Sequence, residues 1–127
     1  MIVRYRTSHA AATGLGVAGH GTGHWRAQRV SAIALIPLVL WFALSVAGGA
    51  AADYPSITGW LGTSVNGVLM ILLVIAAFHH AALGLQVIVE DYIHSRVRFA
   101  MIALVQLLCI LGAAADVIAT LAVMLKP

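Results

Sequence analysis

Residues 65–92 read VNGVLMILLVIAAFHHAALGLQVIVEDY. From Val65 to Val89 there is no Asp, Glu, Lys or Arg, and then Glu90 and Asp91 arrive together. As an α-helix this run extends ~37 Å, enough to cross ~30 Å of hydrocarbon with some tilt. On that helix His80, Gly84, Val87 and Asp91 fall on one stripe, because they are four, seven and eleven residues on. A histidine held in hydrocarbon, with a polar cluster ~16 Å further along the same face, is what the rest of the chain must accommodate.

Composition agrees with a membrane setting. Of 127 residues 62% are hydrophobic and 9% charged, with a mean hydropathy of +1.02. A soluble domain carries roughly a quarter charged residues, and seven Lys and Arg with four Asp and Glu cannot clothe a water-facing surface. The single cysteine, Cys109, lies in an apolar run, which excludes a disulfide framework and a Cys-rich metal site and reads as a small buried hydrophobe. There is no nucleic-acid signature and no low-complexity tail.

Two more apolar runs flank the first. One extends from about Val30 to Gly48, with Trp25 and Arg29 as interfacial anchors and Pro37 predicting a kink. The other extends from about Phe99 to Leu125 and is followed by Lys126. The spans are therefore about 30–48, 65–89 and 99–125, in an all-α membrane domain over residues 29–127. Residues 1–28 read as a flexible cytoplasmic arm, because Gly14, Gly16, Gly19, Gly21 and Gly23 discourage a helix before Trp25. The arm lacks the apolar core of a cleaved signal peptide.

Arg4, Arg6, Arg26, Arg29, Arg96 and Arg98 lie on one side of these spans and only Lys126 on the other. The positive-inside rule then places the N-terminus and the turn near residues 90–98 in the cytoplasm. His80 is expected inward of Arg29 and of the Asp91–Tyr92 pair, ~15 Å deep. Three helices shield a polar group poorly. Small residues such as Ala76, Ala77, Ala81 and Gly112 to Ala115 permit close approach of a partner membrane protein or a second copy.

Neutral imidazole is a strong axial ligand for haem iron, and Gly84, one turn after His80, would clear space for a flat macrocycle. The plainer role of an intramembrane histidine is an interhelical hydrogen bond, expected here of His79, which points about 100° away. Tyr92 offers a phenol at headgroup depth beside Asp91. It reads either as an aromatic-belt anchor or as a hydrogen-bond donor to a quinone carbonyl with an acid nearby for proton delivery.

The spacing His80-(x)3-Gly84-(x)6-Asp91-Tyr92 resembles that of the small hydrophobic membrane anchors, D type, of haem-containing succinate:quinone oxidoreductase (succinate dehydrogenase, respiratory complex II). The start of the first span, His24-Trp25-Arg26-Ala27-Gln28-Arg29-Val30-Ser31, looks like the alphaproteobacterial form. Together with three spans and an inside N-terminus, the resemblance covers the whole chain.

That resemblance implies half of a helical bundle completed by a C-type anchor, the cytochrome b subunit, which supplies the second ligand of a haem b whose first is His80. It implies that Tyr92 hydrogen-bonds ubiquinone, that Asp91 borders its pocket, and that Arg29, with His24 close by, lies near the haem propionates. Flavoprotein and iron–sulfur subunits would perform the succinate chemistry, so this chain would be a non-catalytic anchor in the bacterial inner membrane with a periplasmic C-terminus. Asp116, inside the third span, has no counterpart in that picture and reads as structural. Two other classes compete: an independent b-type cytochrome, which needs both ligands in one chain or homodimer, and a haem-free transporter or structural protein, which would purify colourless.

Overall fold

The computed structural model describes residues 18–126, and side chains from residue 22 onward. They form α1 (Ala18–Ala47), α2 (Tyr54–Gly62), α3 (Ser64–Tyr92) and α4 (Val97–Met124), with no strand among the described residues. Three of these helices are long and apolar enough to cross a membrane: Thr22–Ala47 within α1, and the whole of α3 and α4. The three spans read from hydropathy are therefore present, with ends moved by a few residues.

One boundary differs more. The expected arm falls partly on residues 1–17, outside those described, but α1 already begins at Ala18, ahead of Trp25. Interior glycines cost a helix roughly 1 kcal/mol each. Packing offsets that cost: the His24 ring Nε2 lies 3.3 Å from the Leu83 carbonyl of α3, so this first part of α1 is docked. At the other end α1 stops in a Schellman turn. Ala50 N–H donates to Ser45 O and Gly49 N–H to Val46 O, both at 3.0 Å, and Gly49 takes φ +95°, which a side chain disfavours. Pro37 lies inside α1, which continues as helix on both sides of it.

The short α2 covers the connection between spans. Asp53 caps it, accepting from Ser56 N–H at 2.8 Å. The hydrogen bonds from Ser56, side chain and then backbone, hold the Asp53 carboxyl below its ordinary value. Trp60 of α2 stacks on Trp41 of α1, with ring centroids 5.1 Å apart and 21° between planes. That places a tryptophan pair at the end of the bundle opposite Tyr92.

α3 is the central helix. α1 packs along one flank and α4 along the other, α1 and α4 do not meet, and α2 lies against α3 and α4. Two glycines set the α3–α4 distance. A Cβ on Gly112 would lie 2.5 Å from Phe78 Cε1 and 2.8 Å from Cζ, while one on Gly67 would meet the Met124 thioether. The flexible methionine can yield, whereas the half-buried phenyl ring of Phe78 is a stiffer neighbour. Gly112→Ala is therefore expected to destabilise the detergent-solubilised protein by about 1–3 kcal/mol through overpacking. Thermal unfolding should show this, with recovery when Phe78→Leu is added.

Few side chains are buried among the described residues: Leu73, Val74 and Val89 among the hydrophobic ones, with Ser31 and Thr120 among the polar. Long apolar residues face outward around all three spans, including Ile33, Leu44, Leu72, Leu107 and Ile118. In a bilayer that surface is solvated by lipid or by other helices, so its exposure is no defect.

Candidate functional site

One cluster of polar side chains within the apolar spans lies where α1 crosses α3. His24, Gln28 and Ser31 are spaced by four and three residues, which puts them on one stripe of α1. Opposite them α3 presents Leu83, Gly84 and His80. The Ser31 hydroxyl lies 3.0 Å from His80 Nδ1, and the Gln28 amide nitrogen lies 3.4 Å from His80 Nε2. Ser31 also donates to the Gln28 carbonyl at 3.0 Å. Gln28 Oε1 is buried and has no hydrogen-bond partner among the described residues. A buried acceptor without a donor costs about 1–3 kcal/mol, so this is the least satisfied polar atom of the crossing.

The doubled histidine divides differently from expectation. His79 is exposed and borders grooves on both flanks of α3, about 610 Å³ toward α1 and about 320 Å³ toward α4. It makes no hydrogen bond among the described residues. His80, not His79, is the interhelical hydrogen-bonding residue, because the 100° step between them turns only His80 onto the stripe of α1. His80 also closes the end of an apolar groove of about 490 Å³ walled by Ala32, Leu35, Ile36, Val39 and Ala43. Gly84 faces Gln28, where an added Cβ would sit at ordinary contact distance, 3.5 Å from the amide nitrogen. The space it clears is used by α1.

Arg29 also stands elsewhere than hydropathy suggests. Since Gln28 and Ser31 both meet His80, Arg29 is level with His80 along the helices and not a dozen or so ångströms outward of it. The exposed Arg29 reaches back toward the N-terminus, its guanidinium 5.1 Å from the centroid of the Trp25 ring. A long side chain of this kind moves its charge out of hydrocarbon while its stem stays in.

Asp91 and Tyr92 close α3, twelve residues and ~18 Å beyond His80 at most. Both are exposed, Tyr92 at 82%, and neither has a hydrogen-bond partner among the described residues. Beside them Gln86 donates to Glu90 Oε1 at 2.8 Å and Gln106 of α4 donates to Gln86 Oε1 at 3.2 Å. The fold therefore gathers His24, Gln28, Ser31 and His80 into one cluster and leaves Asp91 and Tyr92 free at the end of the same helix. Asp116 is exposed on α4; its carbonyl accepts from the Thr120 hydroxyl at 2.9 Å.

Sequence reasoning does not single out Gln28 and Ser31 as functional residues. Their signal lies in the helical spacing of three polar side chains, His24, Gln28 and Ser31, at the start of an otherwise apolar run.

Residues 3–113 match the family of succinate dehydrogenase/fumarate reductase transmembrane subunits. The succinate dehydrogenase hydrophobic membrane anchor subunit of Rickettsia bellii (strain RML369-C) is 32% identical over 120 residues, covering 94% of this chain and 96% of that one. The same anchor in Rickettsia conorii (strain ATCC VR-613 / Malish 7) is 32% identical over 121 residues, with the same coverage. That of Paracoccus denitrificans is 33% identical over 100 residues, 79% of this chain and 78% of the relative. No solved structure matches the chain significantly. With a family match over most of its length and relatives of the same size and hydrophobic character, the chain belongs to the succinate dehydrogenase/fumarate reductase transmembrane subunit family.

Proposed function

We propose that this chain is a membrane anchor of a succinate:ubiquinone oxidoreductase in a bacterial inner membrane, with its N-terminus and the 93–96 turn in the cytoplasm and its C-terminus in the periplasm. It assembles with a second membrane anchor, an iron–sulfur subunit and a flavoprotein. The outward apolar faces of α1 and α4 are the surfaces that the second anchor and lipid cover. The single observation that carries the reading is one imidazole, His80, set between two transmembrane helices at the end of an apolar groove.

A haem b shared with the second anchor fits the residues present. A neutral imidazole is the donor type that such a haem takes from each of two chains, and apolar walls suit the macrocycle. The orphaned Gln28 Oε1 marks the side chain with most to gain from a rearrangement there. His80 would hold the iron, and Arg29 and His24 would face the propionates as cation and hydrogen-bond donor. When bound, the haem would supply a one-electron b-type redox centre.

The quinone end is carried by this chain's own residues. The flavoprotein removes two electrons and two protons from succinate, giving fumarate, and the iron–sulfur subunit delivers the electrons at the cytoplasmic face. Tyr92 donates a hydrogen bond to a ubiquinone carbonyl, drawing electron density toward that oxygen as reduction proceeds. Asp91 lies next to it, at the water boundary, and passes on one of the two protons that complete the quinol.

Purification of the tagged chain from its native membrane tests the assignment. The expected product carries flavin, iron–sulfur centres and a dithionite-reduced b-type spectrum, with succinate:quinone activity. A colourless preparation without a flavoprotein would reject it.

A further inference from the structure

We propose that Ser31 is a positioning residue that fixes His80 as the Nδ1–H tautomer, so that Nε2 is the nitrogen presented to iron. This rests on the reading of His80 as a haem ligand and adds a residue to it.

Counting protons assigns the tautomer. A serine hydroxyl has one proton and two lone pairs. The Ser31 proton goes to the Gln28 carbonyl at 3.0 Å, an oxygen that can only accept. Toward His80 Nδ1, also at 3.0 Å, Ser31 Oγ has only a lone pair left to offer, so Nδ1 must carry the proton and donate. A second, longer contact agrees with the same arrangement. The Gln28 amide nitrogen is a donor only, and it lies 3.4 Å from Nε2, so Nε2 is the ring nitrogen with the lone pair.

The serine is well suited to this. It is 7% exposed, so water does not compete for its hydroxyl. Its bond to a backbone carbonyl one turn back is the habit of Ser and Thr in helices, repeated in this chain by Ser45, Thr58 and Thr120. That bond turns a free rotor into a fixed acceptor. Iron at Nε2 would displace the Gln28 amide, whose contact at 3.4 Å is long, while the Nδ1–Ser31 bond would persist. A hydrogen bond from the second ring nitrogen orients a ligating histidine and raises its basicity, and losing such a partner lowers metal affinity about 10–100-fold.

The test uses the whole complex in its membrane, with Ser31→Ala and Ser31→Thr. Weaker donation by His80 disfavours the oxidised iron, so Ser31→Ala should raise the midpoint potential of the b haem. A tenfold change in relative affinity for the two oxidation states corresponds to about 59 mV for one electron. Haem retained after detergent washing should fall in the same variant. Ser31→Thr keeps an acceptor oxygen and should restore both values, which a purely packing role for Ser31 would not explain. Wild-type potential and haem content in Ser31→Ala would overturn the inference and leave His80 as the ligand. A b-type spectrum persisting in His80→Ala would remove the ligand assignment and the inference with it. Should His80→Ala fail to assemble, the comparison of Ser31→Ala with Ser31→Thr still decides.

Discussion

Replacing His80 by Ala is expected to abolish the low-spin b-type spectrum of the assembled complex, the largest single effect we anticipate from this chain. The substitution removes the only imidazole that joins α1 to α3 among the described residues through both of its ring nitrogens. It also takes from the buried Ser31 hydroxyl its hydrogen-bond partner on α3. Each buried group left unsatisfied costs about 1–3 kcal/mol, so weaker docking of α1 should accompany loss of the spectrum. His79→Ala is the control. His79 is exposed, borders grooves on the flanks of α3 and makes no hydrogen bond among the described residues. The spectrum should survive its removal. A reversed outcome, with the spectrum lost only in the His79 variant, would move the iron to a different face of α3.

The contrast between these neighbours shows which features the sequence makes legible. The three spans follow from charge-free runs, since the cost of charge in hydrocarbon acts on every residue alike. Their ends follow within a few residues from Glu90, Arg96 and Lys126. The start of α1 does not, because local propensity reads the glycines before Trp25 as a break, whereas His24 docks against Leu83. Long-range contact of this kind has no local signature. The same hidden register puts Arg29 level with His80. It also gives His80, and not His79, the interhelical hydrogen bonds. The site is thus half legible: helical spacing gathers His24, Gln28 and Ser31 on one face, but which turn of α3 that face meets depends on packing between Gly84, Leu83 and α1.

Tyr92→Phe is the sharpest test of the other end of α3. The ring is 82% exposed, it ends the helix, and its hydroxyl has no partner among the described residues. Removing one oxygen therefore disturbs no internal contact, and stability should change by less than about 0.5 kcal/mol, as for an ordinary surface substitution. Any functional loss is then a loss of something the hydroxyl does for a molecule outside this chain. A donor aimed at an oxygen that gains charge during reaction is worth about 10²–10³ in turnover. Succinate:ubiquinone turnover should fall by roughly that factor, while succinate oxidation with a water-soluble acceptor stays at the wild-type rate. Asp91→Asn should slow the quinone reaction less, since water at the membrane boundary can replace a proton carrier but not a fixed donor. If Tyr92→Phe reduces ubiquinone as fast as the unmodified complex, the phenol is an interfacial anchor and the quinone pocket must be sought elsewhere in the assembly. The His80 crossing is ~18 Å from it along α3, so the assignment there would be untouched by that result.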